Sequence, residues 1–269
     1  MLGNLNIRAY SVAFRLAMLE ALQYPARMFA MVSTAGIRML FIFIVYSYVF
    51  ATIGTSRPGV TLVTVLASLA LYQVLLTISF RKVFYRILRD IQRGDVEVAL
   101  TRPQSYIWRL ISEHIGFGCL NIIPASILAV VLVSLFSDVS SLPVTGPLVL
   151  WGIVLAILGT TLSACIFICA SLPALWINDA EPFIMIIDKA VMLLGGAYLP
   201  VALMPGWMAT IALYSPFGAV MFVTHIFNTN FIAHAPYLVL AQLFWILVIG
   251  LLAWHLFQRG VKKISINGG

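Results

Sequence analysis

The chain has 269 residues, of which 62% are hydrophobic and only 9% are charged, and its mean hydropathy is +1.05. A soluble domain carries roughly 25% charged and 45–50% apolar residues, so this composition excludes a water-soluble protein and indicates an integral membrane protein. The net charge of +7 would suggest a nucleic-acid partner in a soluble chain. Here the basic residues stand in blocks between apolar runs, which favours anionic membrane lipids as partners and no nucleic acid.

Residues 1–27 predict an N-terminal amphipathic helix that lies along the inner surface of the membrane. Asn4, Arg8, Ser11 and Arg15 recur at helical spacing and form one polar stripe on an otherwise apolar helix. A helix of this kind lies at the membrane interface with its arginines near phosphate groups. A frayed N-terminal tail is the alternative.

Residues 28–257 predict an all-α transmembrane domain. Crossing a hydrocarbon core of about 30 Å takes roughly 20 apolar residues in a helix. Six segments meet that requirement, at about 28–53, 60–80, 114–136, 147–171, 183–199 and 236–257. The segment 200–227 is also apolar, but proline and glycine interrupt it. It therefore predicts a re-entrant outer helix pair, with a seventh full span as the alternative, and residues 258–269 predict a cytoplasmic tail.

The basic residues predict the orientation of these six spans. With the N-terminus inside, thirteen of the sixteen lysines and arginines face the cytoplasm, and only Arg57 lies outside. The positive-inside rule therefore predicts that both termini are cytoplasmic. The two remaining basic residues, Arg38 and Lys189, fall within spans.

The largest basic block is the loop 81–113, between the second and third spans. Its first part carries one apolar stripe, which predicts that the second span continues into the cytoplasm as an amphipathic helix. Gly94 then predicts a stop, and Asp95 is a candidate N-cap for a short helix over 96–101. Pro103 closes this segment because proline removes a backbone donor and restricts the residue before it.

The chain lacks the common catalytic and nucleotide-binding motifs: Walker A, HExxH, GxSxG and paired CxxC patterns are all absent from the sequence. We therefore expect neither an enzyme nor a metal site. If ATP drives any process here, a separate polypeptide must hydrolyse it.

Three charged residues fall inside predicted spans and are candidates for function, because burying each in a bilayer costs several kcal/mol. Arg38 lies in the first span, and Asp188 and Lys189 lie in the middle of the fifth. One interpretation is a polar lining for a translocation path. The other is an Arg38–Asp188 ion pair that holds two helices together.

Three stretches resemble the permease subunits of ABC exporters of the type-2 (type V) fold. More narrowly, they are similar to a small uncharacterised bacterial ABC permease family related to multidrug and viologen export. The stretches are IQRGDVEVALTRP at 91–103, GGAYLP at 195–200 continuing to MPGW and SPF, and FQRGVKK at 257–263.

The resemblance implies that the chain forms half of a translocation path in the bacterial inner membrane. Members of this family pair with a second permease, of the same or a homologous chain, and with cytoplasmic ABC ATPases that bind ATP and Mg²⁺. No cofactor is expected in this chain itself. The short loop helix would then be a coupling helix that enters a groove of the ATPase. Its contacts would come from Gly94, Asp95, Val96, Glu97, Val98, Leu100, Arg102 and Pro103.

Two other classes of function are weighed against this one. An ion-driven secondary transporter would favour internal repeats and paired broken helices, whereas only one broken region stands out here. An intramembrane enzyme would need a histidine and an acid or nucleophile at recognisable spacing, and the sequence shows none. A neighbouring reading frame with GxxxxGK[ST] would favour the ABC permease over both.

Overall fold

A computed structural model describes residues 7–52, 54, 59–78, 81–96, 105–142, 144–177, 180–228 and 230–267, with side chains described up to residue 260. Within these ranges the chain is helical and contains no strand, which confirms the predicted all-α class. The α-helices are α1 (Ile7–Gln23), α2 (Pro25–Thr52), α3 (Leu62–Leu76), α4 (Arg81–Arg93), α5 (Tyr106–Phe136), α6 (Gly146–Ser171), α7 (Glu181–Leu194), α8 (Gly206–Tyr214), α9 (Pro216–Ala219) and α10 (Phe231–Asn267). Short 3₁₀-helices cover Val139–Ser141, Leu172–Leu175, Val201–Leu203 and Phe222–Phe227.

Five helical segments of the described chain are long and apolar enough to cross a membrane. They are Pro25–Thr52, Leu62–Arg93, Tyr106–Phe136, Gly146–Leu175 and Phe231–Gly260, the second running across residues 79–80, which lie outside the described residues. These five segments correspond to five of the six predicted spans and support a multi-pass membrane protein.

The predicted span at 183–199 forms a shorter helix than expected. α7 has 14 residues, which at about 1.5 Å per residue gives roughly 21 Å, less than the hydrocarbon thickness. The helix ends because Gly195 caps it and Gly196 adopts a left-handed conformation with φ of 86°. Sequence hydropathy does not detect this end, since the turn residues 195–199 carry no charge and continue the apolar run.

α3 is the central helix of the bundle, and α10 lies at its edge. In the most apolar 18-residue window of each segment, 71% of residues are buried for Leu62–Arg93 but only 17% for Phe231–Gly260. A helix that is apolar on all sides is typical of the middle of a bundle, as α3 is. The apolar side chains of α10 instead lie largely on the surface of the chain. α2, α3 and α5 share one apolar core, and α6, α9 and α10 share another with the 3₁₀-helix 222–227.

Two glycines allow close backbone contacts that set the positions of peripheral elements. A Cβ on Gly116 of α5 would collide with the backbone carbonyl of Phe14, so α1 rests directly on the α5 backbone. A Cβ on Gly159 of α6 would collide with the carbonyl of Val220, which brings the segment after α9 against α6.

The turn between α5 and α6 carries an ionised carboxylate. Exposed Asp138 accepts hydrogen bonds from the backbone N–H of Ser140 at 3.0 Å and from its hydroxyl at 2.7 Å. These bonds favour the charged form and lower the pKa of the Asp138 carboxyl. A charged group here indicates that this end of α5 and α6 meets water.

Two helices extend past the predicted bounds. α5 begins at Tyr106, eight residues before the predicted third span, and α10 runs to Asn267 through the predicted tail 258–269. Apolar residues mark only the part of a helix that lies in hydrocarbon. A helix continues into polar sequence until a breaker or lost hydrogen bonding ends it.

Candidate functional site

The ends of the helices that carry Arg81–Arg93, Arg109 and Arg259 lie together and are called the basic end below. α4 forms its centre and buries the apolar stripe that the sequence predicts, with Val83, Phe84 and Ile87 each less than 5% exposed. This stripe packs against residues of α5, α6 and α7 in one apolar cluster. The amphipathic character predicted for this segment is therefore confirmed, and α4 is held by its buried face.

Polar contacts fasten the other side of α4 to α5. Glu113 accepts from Arg86 at 2.6 Å and from Arg109 at 2.8 Å, which links the two helices through one carboxylate. The hydroxyl of Tyr106 donates to the carboxylate of Asp90 at 2.7 Å. α4 is thus joined to α5 at two levels along its length.

The predicted coupling segment begins where α4 ends. Gly94 has φ of 76°, a left-handed conformation that favours glycine, and the chain becomes helical again at Asp95 and Val96. Val96 is 3% exposed and lines a small apolar cavity together with Leu175 and Phe257. The first turn of the segment is therefore anchored in the protein. The rest of the predicted coupling residues lie outside the described residues: Glu97, Val98, Leu100, Arg102 and Pro103.

The far side of the same loop is fixed to the N-terminal helix. The backbone N–H of Ser105 donates to the hydroxyl of Tyr10 at 3.1 Å. No sequence pattern pointed to this contact, because Tyr10 falls among the apolar residues of α1. The two ends of the loop are therefore held by different helices, α4 and α1.

The structure gives Asp188 a different partner from the one expected. Its carboxylate lies 3.5 Å from the guanidinium of Arg81, the first residue of α4. Arg38 and Lys189 are both exposed on the protomer surface, and within the described ranges neither forms an ion pair shorter than 4.0 Å. The Arg38–Asp188 pairing is thus corrected to Arg81–Asp188. Sequence spacing could not reveal it, because Arg81 was expected in the cytoplasmic loop.

Tyr72 lies near Asp188 and Arg38, and no sequence pattern singled it out. It is completely buried in α3, and its hydroxyl has no hydrogen-bond partner among the described residues. Asp188 and Arg38 both interact electrostatically with it. Beside Tyr72 is a cavity of about 30 Å³ lined also by Thr160 and Ser163, large enough for a water molecule in a polar setting. Whether these groups line a path stays a prediction.

A larger cavity of about 670 Å³ lies at the opposite end, between α3, α10 and the 3₁₀-helix 222–227. His225 and His234, which sequence spacing treats as isolated residues, both line it. Within the described ranges no group of three metal-ligating side chains is found. Four residues after the lining residue Leu238, the buried Gln242 of α10 donates through its side-chain amide to the carbonyls of Leu155 at 3.2 Å and Ala219 at 2.7 Å.

Comparison with known proteins gives one family. A family model described as ABC-2 family transporter protein matches residues 29–268, a range that runs from α2 to the end of the chain and leaves out α1. No curated protein and no solved structure shows significant similarity to the chain. The family match confirms the resemblance to type-2 ABC permeases.

Proposed function

The chain belongs to the ABC-2 family of transporter proteins, and from this premise we propose that it is the permease subunit of an ABC exporter. The family makes it a transport component, and the observation that carries the proposal is the extent of the match, residues 29–268, which takes in nearly all of the five described segments able to cross a membrane. Because the sequence holds no Walker A motif, energy would come from a separate cytoplasmic ATPase that binds ATP and Mg²⁺.

The proposed topology has six crossings, with both termini in the cytoplasm of a bacterial cell. α7 would cross together with the apolar turn 195–199, which follows it directly, and α8 and α9 would form the re-entrant outer pair. The distribution of basic residues supports this orientation. It assigns the basic end to the cytoplasm, where an ATPase can reach it.

The segment Gly94–Pro103 would be the coupling helix. It leaves the end of α4, whose opposite end holds Asp188 through Arg81. The 13 residues of α4 span about 20 Å, so one rigid helix would connect the ATPase contact with an intramembrane charge. Movement of the ATPases on ATP binding would thereby reach α7.

A second permease subunit would complete the translocation path. Arg38 and Lys189 are exposed on α2 and α7 of the single chain, and a cation that faces lipid costs several kcal/mol. Both charges would instead face a polar path, or polar groups, between this chain and a second permease of the same or a homologous sequence.

The proposal is tested by one charge reversal and one new charge in the coupling segment. Glu97→Arg and Leu100→Asp should each reduce by at least about tenfold the amount of ATPase that copurifies with the chain, since interface anchor residues contribute about 2 kcal/mol or more. Asp138→Arg is the matched control, because it reverses an exposed charge at the opposite end of the bundle. All three should insert into the membrane in normal amounts. Normal ATPase recovery and ATP hydrolysis in both coupling variants would overturn the proposal.

A further inference from the structure

A cavity of about 650 Å³ lies at the basic end between α1, α4 and α5. One wall is apolar and comes from α1, where Val12 and Leu16 are 54% and 60% exposed. The opposite wall is charged and comes from α4, α5 and the start of α2, while Glu20 adds one acid at the end of the α1 wall. The charged lining residues are Arg27, Lys82, Arg86, Arg109, Glu20 and Glu113.

The charges of this cavity do not balance. Its four cations face two carboxylates, which leaves an excess of two positive charges with His114 taken as neutral. Glu113 is already shared between Arg86 and Arg109 at 2.6 and 2.8 Å. One excess charge therefore stays with Arg86 and Arg109, and the other falls on Arg27 and Lys82, for which Glu20 is the remaining carboxylate of the lining.

Arg27 and Lys82 converge on the same aromatic ring. The guanidinium carbon of Arg27 lies 4.7 Å from the centroid of Phe117, and the ammonium of Lys82 lies 5.3 Å from it. In the part of the chain that the structure describes, neither cation has a carboxylate oxygen within 4.0 Å. The two cations repel each other, and the ring, which attracts both, holds them in place.

We propose that Arg27 and Lys82 together bind a phosphate group, supplied by an anionic phospholipid head group or by free phosphate. A guanidinium can donate two parallel hydrogen bonds to phosphate oxygens, and an ammonium adds a compact second charge. A bound anion would relieve the repulsion between the two cations. This inference goes beyond the transport function and does not depend on it.

The apolar wall favours the lipid as the source of the phosphate. Val12 and Leu16 offer the acyl chains an apolar surface beside the charged groups. A free phosphate ion would gain nothing from that surface. Basic pockets between transmembrane helices on the cytoplasmic side are a known arrangement for anionic head groups.

The test measures ligand binding to the purified, delipidated full-length chain, with any copurified ATPase, by native mass spectrometry. The ligands are dioleoyl phosphatidylglycerol, dioleoyl phosphatidylcholine and inorganic phosphate. The double change Arg27→Gln with Lys82→Gln should weaken phosphatidylglycerol binding by about tenfold or more, since each cation near an anionic head group contributes severalfold. The matched control, Arg89→Gln with Arg93→Gln, removes two exposed charges of α4 that do not line the cavity and should change binding by less than about twofold.

The ligands distinguish the two sources of phosphate. Loss of phosphatidylglycerol binding in the double variant, with no measurable inorganic phosphate binding to the unaltered chain, identifies the head group. Inorganic phosphate binding that the same change abolishes identifies the free ion. Equal binding of every ligand by the double variant and the unaltered chain would overturn the proposal, and so would an equal loss in the Arg89 and Arg93 control. If the double variant elutes as an aggregate, Lys82→Gln alone supplies the test, with an expected severalfold loss.

Discussion

Neutralising the Arg81–Asp188 pair should destabilise the chain unequally, depending on which partner is changed. The charged atoms are 3.5 Å apart, which corresponds to about 5 kcal/mol at an effective dielectric constant of about 20. Solvent screens much of this Coulomb attraction, because the side chain of Arg81 is 48% exposed, although that of Asp188 is only 11% exposed. We expect a coupling free energy of about 1 kcal/mol between the two residues.

The two single variants should differ because the two environments differ. Arg81→Gln leaves a carboxylate nearly buried without its ion-pair partner, which should cost about 2–3 kcal/mol. Asp188→Asn leaves a guanidinium that can turn to water, which should cost about 1 kcal/mol. The double variant should be less destabilised than the sum of both, because the second change removes the charge that the first leaves without its partner.

The assay is reversible unfolding of the purified chain in mixed micelles, followed by circular dichroism as the denaturing detergent increases. Arg89→Gln is the control, since it removes an exposed cation from α4, the helix that carries Arg81, and should change the free energy of unfolding by less than about 0.5 kcal/mol. Strict additivity of the two single variants would refute the pairing. The reasoning on burial would fail if Asp188→Asn cost more than Arg81→Gln.

Two further changes test the packing of α1 on α5 and the buried hydroxyl of Tyr72. Gly116→Ala should weaken the packing of α1 on α5 by about 1–3 kcal/mol, because the new methyl group meets the carbonyl of Phe14. The measurement is the rate at which a protease releases α1, which should rise. Gly146→Ala is the control and should leave this rate unchanged, because the space around its Cβ is open. Tyr72→Phe should leave the free energy of unfolding unchanged or raise it by up to about 1 kcal/mol, because it removes a buried hydroxyl without a protein partner. A loss of more than about 1 kcal/mol in the same unfolding assay would show that the hydroxyl makes a bond after all.

Much of the fold could be predicted because helices in lipid have a length and a polarity pattern that a sequence displays. The five long apolar helices and the buried stripe of α4 both follow from periodicity and from the thickness of a bilayer. The early end of α7 could not be predicted this way. It depends on the left-handed conformation of Gly196. The sequence alone does not determine whether a glycine in an apolar run adopts a helical or a left-handed conformation.

The candidate site was less predictable, because its contacts join residues far apart in the chain. Asp188 could be recognised as a costly intramembrane charge, but its partner Arg81 is 107 positions away and was assigned to a loop. The pairing became visible only when the packing of α4 against α7 was known. Tyr72 was missed for a related reason, since a tyrosine in an apolar run is typical of packing and only its surroundings give it a polar role.

The balance of forces on α4 decides how it would respond to a partner at the Gly94 end. Three exposed or half-exposed arginines of α4 and α5 form ion pairs with Glu113 of α5 or Asp188 of α7. Such pairs contribute about 0–1 kcal/mol each. The buried apolar stripe of α4 contributes about 1.5–3 kcal/mol for each fully buried side chain, so it holds the helix far more strongly. A force applied at Gly94 would therefore not separate α4 from the helices it packs against. It would move α4 together with the adjoining ends of α5, α6 and α7, against which the apolar stripe packs.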